Sequence, residues 1–185
     1  ALLGPEKQNQ KCIGFVPTMG ALHQGHLTLV SRALKECDHV VVSIFVNPTQ
    51  FNNAEDLAKY PRHLDHDLTL LSSLSKSILV FAPSAENIYG NQISARQYDF
   101  GPLGQHMEGQ HRPGHFDGVA TVVSLLFDAV TPDRAYFGEK DYQQLRIVET
   151  LVQIEQRDTI IVPCSIARNS EGLALSSRNE RLDDE

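Results

Sequence analysis

Short apolar runs alternate along the chain with longer segments in which apolar residues recur at helical spacing. The first run, residues 13–16, is closed by a proline and a glycine, and apolar residues at helical spacing follow over 27–34. Residues 39–46 (HVVVSIFV) are apolar nearly throughout and rich in β-branched side chains, as in a strand that is buried on both faces. A strand, a helix and a second strand in this order predict a βαβ unit of a parallel sheet, in which ligands bind at the carboxyl ends of the strands.

The same alternation continues to the end of the chain. Further strands are predicted at residues 77–81, 135–137 and 159–166, and further helices at 65–74, after an N-cap at Asp117 and after an N-cap at Asp141. Residues 88–118 lack a periodic pattern, and a long irregular segment of this kind is usually functional or mobile. The sequence therefore predicts the α/β class, with a Rossmann-like parallel sheet and helices on both of its faces.

Composition and charge narrow the class of protein. Hydrophobic residues make up 41% and charged residues 21%, which is typical of a folded globular chain. The formal net charge of -7 argues against nucleic acid or an anionic membrane as a partner. The longest strongly apolar stretch, residues 40–46, is far shorter than the roughly 20 residues that cross a bilayer. The three cysteines are widely spaced, which favours reduced packing thiols over a disulfide framework or a zinc site.

Two histidines follow the first predicted strand, in the sequence His23-Gln24-Gly25-His26. Their spacing puts both imidazoles on one face at the start of a helix. Unpaired N–H groups of the first turn, the helix dipole and glycines that permit close approach would form a phosphate site. Taken alone, such a pair is more often a set of capping or surface histidines. Zinc is a weaker interpretation, because the spacing differs from that of a zincin and no cysteine lies nearby.

Residues 17–26 (PTMGALHQGH) resemble the H-x-G-H signature of the nucleotidyltransferase superfamily, and more closely the P-T-M-G-A-L-H-x-G-H segment of the pantothenate synthetase (pantoate–β-alanine ligase) family. Further segments look like blocks of that family in the same order: 46–51 (VNPTQF), 60–62 (YPR), 108–116 (EGQHRPGHF), 137–145 (FGEKDYQQL) and 172–179 (GLALSSRN). H-x-G-H alone is moderately specific for adenylyl or cytidylyl transfer, whereas several ordered blocks indicate one family. The resemblance extends over nearly the whole chain.

The resemblance implies an ATP-dependent ligase that joins pantoate to β-alanine through a pantoyl-adenylate, releasing pyrophosphate and then AMP, in pantothenate and coenzyme A biosynthesis. It also implies ATP with Mg²⁺ as co-substrate, no tightly bound cofactor and a homodimer, while the reduced cysteines favour a cytoplasmic location. It implies that residues 1–179 form the domain that binds ATP and pantoate. Since the family has a further C-terminal domain, residues 180–185 would be the start of a truncated or disordered one, and ATP binding is a safer expectation than full turnover.

The family's functional residues fall on matching positions of this sequence. His26 would be the proton donor, with His23, Lys140 and Arg178 as further catalytic residues. Gln50 would bind pantoate and β-alanine, and Gln144 would bind pantoate, each through its amide. The residues expected to bind ATP are Met19, Gly20, Ala21, Leu22, His23, Gln24, Gly25, His26, Gly138, Glu139, Lys140, Asp141, Ala167, Leu175, Ser176, Ser177 and Arg178.

Plain structural alternatives exist for several of these residues. Lys140 could lie in a polar turn before a helix, Gln50 in a turn, and Gln144 on a solvated helix face. Residues 176–178 could be only a loop, although two hydroxyls and a guanidinium suit phosphate. The remaining histidines are expected at structural or surface positions without catalytic roles; they are His39, His63, His66, His106, His111 and His115.

Two other functions compete with ligation. One is another H-x-G-H adenylyltransferase that acts on a nucleotide or a phosphate ester, but residues 47–55 offer no basic side chain for a phosphorylated acceptor. The other is a non-catalytic nucleotide-binding fragment. In a ligase, the irregular segment 101–115 could shield a reactive adenylate from water.

Overall fold

The computed structural model of the protein describes residues 11–51, 53–177 and 179. Within them, five parallel strands form one sheet in the order β3-β2-β1-β4-β5. The strands are β1 Ile13–Thr18, β2 His39–Ile44, β3 Leu79–Phe81, β4 Arg134–Gly138 and β5 Ile160–Cys164. The chain order reverses at β1, so the loops that leave β1 and β4 emerge side by side, where open α/β sheets bind their ligands.

Helices connect the strands and cover the sheet. They are α1 Gln24–Glu36, α2 Ala54–Lys59, α3 Leu64–Leu74, α4 Ala85–Tyr89, α5 Glu108–His111, α6 His115–Val130 and α7 Tyr142–Ile154. Short 3-10 helices lie at Pro48–Gln50, Gly101–Gly104 and Glu139–Asp141. None of the described helices combines the length and apolarity that crossing a bilayer requires.

Successive strand residues enter two different hydrophobic cores, one on each face of the sheet. Phe15 belongs to a cluster with residues of α6 and α7, such as Phe127 and Leu151. The next residue, Val16, belongs to a cluster with residues of α1 and α3, such as Val30. Burial on both faces explains the continuous apolar runs, because each strand residue must suit one core or the other. The predicted α/β class with helices on both faces is confirmed.

Several predicted boundaries were wrong. The second strand ends at Ile44 and the last at Cys164, each two residues earlier than expected. Helix α6 begins at His115, because Gly114 takes a left-handed conformation (φ +76°) and turns the chain into the helix there. Asp117 therefore lies inside the first turn, and its carboxylate accepts a hydrogen bond from the Tyr98 N–H at 3.1 Å.

The segment 88–118, expected to be irregular, carries short helices and is anchored from α7. The buried Gln143 side chain donates to the carbonyl oxygens of Leu103 (2.8 Å) and His106 (2.7 Å) and accepts from the Glu108 N–H (3.1 Å). Asp141 occupies the N-cap position of α7, but its carboxylate makes no capping hydrogen bond. It pairs instead with the Lys140 ammonium at 3.0 Å.

Candidate active site

A cavity of about 310 Å³ opens at the carboxyl edge of the sheet, within the usual range for small-molecule sites. Its walls come from the loops after β1, β2, β4 and β5 and from α5 and the start of α6. The structure brings most of the sequence-predicted site residues together in its lining; these are Met19, His23, Gly25, His26, Gln50, Gly138, Lys140, Asp141, Gln144, Ala167, Leu175, Ser176 and Ser177. Arg178 lies outside the described residues.

His23 and His26 form a reciprocal cap at the start of α1. His23 is the N-cap residue, and its Nδ1 accepts from the Gly25 N–H at 3.1 Å. The Nδ1 of His26 accepts from the His23 N–H at 3.3 Å, and the two ring centroids lie 4.1 Å apart. A ring nitrogen that accepts a hydrogen bond carries no proton, so both imidazoles carry their proton on Nε2. The cap thereby fixes two neutral rings, each with one Nε2–H donor.

His26 stays neutral over the physiological pH range. Burial lowers its pKa to about 3, and proximity to His23 and Lys140 acts in the same direction. His26 can therefore donate a hydrogen bond to a phosphate oxygen at neutral pH without being an imidazolium. The geometry favours this role over full proton transfer from a charged ring.

Asp67 of α3 stabilises the turn before α1 through hydrogen bonds to its backbone. Its fully buried carboxylate accepts from the Ala21 N–H at 3.0 Å and from the Leu22 N–H at 2.7 Å. Gly20 and Ala21 both have positive φ, +81° and +49°, which bends the turn toward this carboxylate. The backbone N–H groups of Ala21 and Leu22 are thus already paired before the helix begins. Five residues expected at ATP do not line the cavity, namely Gly20, Ala21, Leu22, Gln24 and Glu139.

Gln50 is held on both sides of its amide. Its Nε2 donates to the Met19 sulfur at 2.8 Å, and its Oε1 accepts from the buried Asn47 Nδ2 at 3.2 Å. Asn47 also donates to the Gly118 carbonyl oxygen of α6 at 3.1 Å. A Cβ at Gly118 would lie only 2.4 Å from the Thr49 carbonyl oxygen, so α6 packs directly against this turn. Gln50 is thus a buried and oriented group, and the plain turn interpretation was incomplete.

A cluster on α5 and α6 adjoins Gln50. The backbone carbonyl oxygen of Gln50 accepts from His115 Nδ1–H at 2.9 Å and from Arg112 at 3.4 Å. Arg112 also contacts His115 Nε2 at 3.1 Å and the Glu108 carboxylate at 2.9 Å. His115 is buried, as expected of a structural histidine, but it lies in the wall of the cavity.

The opposite wall carries the segments after β4 and β5. Lys140 is close enough to His26 to affect its pKa, and Gln144 is half-buried one turn into α7. After β5 the chain folds back on itself, since Leu175 N–H donates to the Ala167 carbonyl oxygen at 2.9 Å. This return places Leu175 beside Gly25, and Ser176 and Ser177 follow it in the lining. In the described part of the chain, no three His, Cys, Asp or Glu side chains cluster as metal ligands.

Several residues of the site were missed in the sequence. Asp67 lies four residues before the buried Leu71, a spacing that places it on the packed face of α3 and could have identified it. Arg112 and His115 fall within one of the matched blocks, but nothing in their local pattern predicts contact with Gln50, more than 60 residues earlier.

Known proteins resemble this chain over nearly its whole length. The family profile described as pantoate-beta-alanine ligase matches residues 2–185. The chain is 57% identical over 180 residues to the pantothenate synthetase of Flavobacterium psychrophilum, covering 97% of this chain and 64% of that protein. It is 56% identical over 172 residues to the pantothenate synthetase of Bacteroides thetaiotaomicron, covering 93% of this chain and 60% of that protein. The chain thus spans less than two thirds of these relatives.

Two solved structures share the fold closely. One is the pantothenate synthetase from Thermus thermophilus, with a TM-score of 0.89 and 50% identity over 94% of this chain and 62% of that one. The other is a pantoate-beta-alanine ligase from Francisella tularensis complexed with beta-gamma ATP and beta-alanine. Its TM-score is 0.90, at 46% identity over 95% of this chain and 67% of that one.

Proposed function

The chain belongs to the pantoate–β-alanine ligase family, and on that premise we propose that the protein joins pantoate to β-alanine at the expense of ATP, releasing AMP and pyrophosphate. One observation carries this proposal. The H-x-G-H histidines, Gln50 and the pair Lys140 and Gln144 come from three separate segments of the chain and line one cavity.

The cavity lining offers two chemically different sets of side chains. His23 and His26 carry Nε2–H donors, and together with Lys140 and the two serines they form a set suited to the phosphates of ATP. We propose that Arg178, Ala167 and the backbone at residues 138–141 complete this set. Gln50 and Gln144 form the other set, and their amides can bind the hydroxyl and carboxylate groups of pantoate.

In the first half-reaction a pantoate carboxylate oxygen attacks the α-phosphorus, and the bond to the bridging oxygen of the leaving pyrophosphate breaks. Negative charge develops on the phosphate oxygens, so fixed donors at His26, Lys140 and His23 lower the barrier. Because the reciprocal cap orients both rings beforehand, little reorganisation is needed at the moment of reaction.

In the second half-reaction the amine of β-alanine attacks the acyl carbon, the bond to AMP breaks and the amine loses a proton. The adenylate must be kept from water for the amine to compete with hydrolysis. Helix α5, which Gln143 anchors through the Glu108 N–H, borders the cavity at Glu108 and would supply part of this cover.

We further propose the context in which the reaction occurs. Mg²⁺ would enter with ATP, since this ion usually keeps water ligands and binds through substrate phosphates, and no tightly bound cofactor is required. The protein would act as a cytoplasmic homodimer, with residues 1–179 as its ATP- and pantoate-binding domain and a further domain beginning at 180–185.

The test is pantoate-dependent exchange of labelled pyrophosphate into ATP, measured with the protein at its full natural length. We expect exchange with pantoate and Mg²⁺ before β-alanine is added, and pantothenate and AMP in equal amounts afterwards. Exchange that proceeds equally well without pantoate would contradict the assignment and favour another adenylyltransferase. Binding of ATP without any exchange would favour the non-catalytic alternative.

A further inference from the structure

Among the described residues that line the cavity, Lys140 and Arg112 are the two with a fixed positive charge. Lys140 lies close to His26, beside which the phosphates are proposed to bind. Arg112 instead contacts Gln50, since its guanidinium reaches the Gln50 carbonyl oxygen at 3.4 Å. The two charges are therefore assigned to different parts of the ligands.

Arg112 is held in a defined orientation by His115. The Gln50 carbonyl oxygen can only accept, so His115 Nδ1 carries the proton in the 2.9 Å contact between them. The Nε2 of His115 then accepts from Arg112 at 3.1 Å, because a guanidinium only donates. His115 is neutral in this arrangement, and the charge of Arg112 is opposed within the cluster by Glu108 alone of the described contacts.

The contact between Arg112 and Glu108 shows that the Arg112 guanidinium is placed to bind a carboxylate. Its Oε2 lies 2.9 Å from the Arg112 Nη1 and 4.0 Å from the His115 Nε2. The Glu108 side chain is 51% exposed and belongs to the one-turn helix α5, and half-exposed ion pairs contribute little to stability. A carboxylate from a ligand can therefore replace that of Glu108 on the guanidinium.

We propose that Arg112 binds the carboxylate of the amino-acid substrate and that Glu108 competes with the substrate for this guanidinium. This inference rests on the proposed function, in which the pantoate carboxylate becomes bonded to the α-phosphorus. The carboxylate of β-alanine takes no part in either bond-forming step and stays free to bind the protein. A planar guanidinium recognises a carboxylate in a fixed geometry. The ligand class is a short ω-amino acid with an unmodified carboxylate.

The two partners of the ion pair give opposite predictions. We expect Arg112→Gln to raise the KM for β-alanine about 10- to 100-fold, because a hydrogen-bonded charge is lost. We expect Glu108→Gln to lower that KM, because the competing carboxylate is removed. Arg112→Lys, which keeps the charge but loses the planar fork, should fall between the unmodified protein and Arg112→Gln. Arg146→Gln, an exposed arginine of α7 outside the cavity, serves as the matched control.

A substrate without the carboxylate separates recognition from folding. The unmodified protein should use β-alanine far better than β-alaninamide, and Arg112→Gln should lose this preference. Pantoate-dependent pyrophosphate exchange should stay within about 2-fold in the control Arg146→Gln. In Arg112→Gln the KM for pantoate in this exchange should change far less than the KM for β-alanine, which takes no part in that step.

Three results would overturn the inference. They are a shift of the KM for β-alanine in the same direction in Glu108→Gln and Arg112→Gln, a KM for pantoate in the exchange reaction of Arg112→Gln that rises as much as the KM for β-alanine, and an unchanged preference for β-alanine over its amide in that variant. Failure of the unmodified protein to catalyse pantoate-dependent exchange would instead refute the proposed function, and this inference with it.

Discussion

Replacement of Asp67 by Asn tests whether one buried carboxylate holds the turn before α1. Asp67 is fully buried and accepts two backbone N–H groups, at 2.7 and 3.0 Å. Asn has one acceptor oxygen, so its NH₂ group would face one of these N–H groups where water cannot enter. Losing one charge-assisted hydrogen bond and weakening the other should cost about 2–4 kcal/mol of unfolding free energy.

The assay is urea unfolding of Asp67→Asn beside Asp65→Asn. Asp65 is an exposed residue in the same first turn of α3, so its replacement removes a similar charge near the helix start without touching the turn. We expect Asp65→Asn to change the unfolding free energy by less than about 0.5 kcal/mol. Equal stability of the two variants would refute the argument that Asp67 anchors the turn.

The same substitution should affect chemistry. The turn at Gly20 and Ala21 leads directly into the His23 cap, so a shift of the turn displaces both Nε2–H donors. A displacement of about 1 Å can cost about 100-fold in rate, so we expect pyrophosphate exchange by Asp67→Asn to fall at least about 10-fold. An unchanged exchange rate in a measurably destabilised variant would show that the turn does not position the histidines.

Three further predictions follow from burial and close packing. The folded-state pKa of His26, about 3, lies below its ordinary 6.5, so its stabilising contribution is present above pH 6.5 and is lost as the pH falls toward 3. His26→Asn should flatten the fall in unfolding free energy between pH 7 and pH 5 by about 2 kcal/mol, and parallel pH profiles would contradict the shifted pKa. Gly118→Ala would put a Cβ 2.4 Å from a carbonyl oxygen of the neighbouring turn, and should cost at least about 2 kcal/mol in urea unfolding, whereas Gly104→Ala, whose Cβ meets only ordinary contacts, should be tolerated. Gln143→Leu removes three hydrogen bonds to the preceding loop, so limited proteolysis should cut that loop faster than in the exposed control Gln153→Leu; equal cleavage rates would argue against the anchor.

Local pattern was sufficient for most of the fold. Residues 39–46 are predicted as a doubly buried strand because their apolar side chains, such as Val40, Val41 and Val42, enter the two cores in alternation, and this constraint is visible in the sequence itself. The start of α6 was misplaced because Asp117 is a good N-cap by type, whereas the left-handed Gly114 sets the actual start. Capping preference is a weaker influence than the path that the preceding loop imposes.

The residues of the candidate site also fall into two groups, those that the sequence can predict and those that it cannot. His23, His26 and Gln50 follow strands at the carboxyl edge of the sheet, a position that sequence order can predict. Asp67 and Arg112 act through contacts with backbone groups 46 and 62 positions earlier in the chain. The spacing of Asp67 from Leu71 indicates that Asp67 is buried, but no local pattern predicts which backbone groups Asp67 and Arg112 contact, because this depends on how α3 and the segment before α6 pack against loops.

The reciprocal histidine cap links the protonation of His23 and His26 to the stability of the start of α1. A proton on the Nδ1 of His23 or His26 would remove an acceptor that a backbone N–H of the first turn requires. Protonating either ring on Nδ1 would therefore break its capping hydrogen bond and release the ring from the orientation that the cap imposes on its Nε2–H. A helix elsewhere in the protein could replace its cap with serine or aspartate without losing a proposed phosphate donor, but here the residues that begin the helix are also the proposed donors.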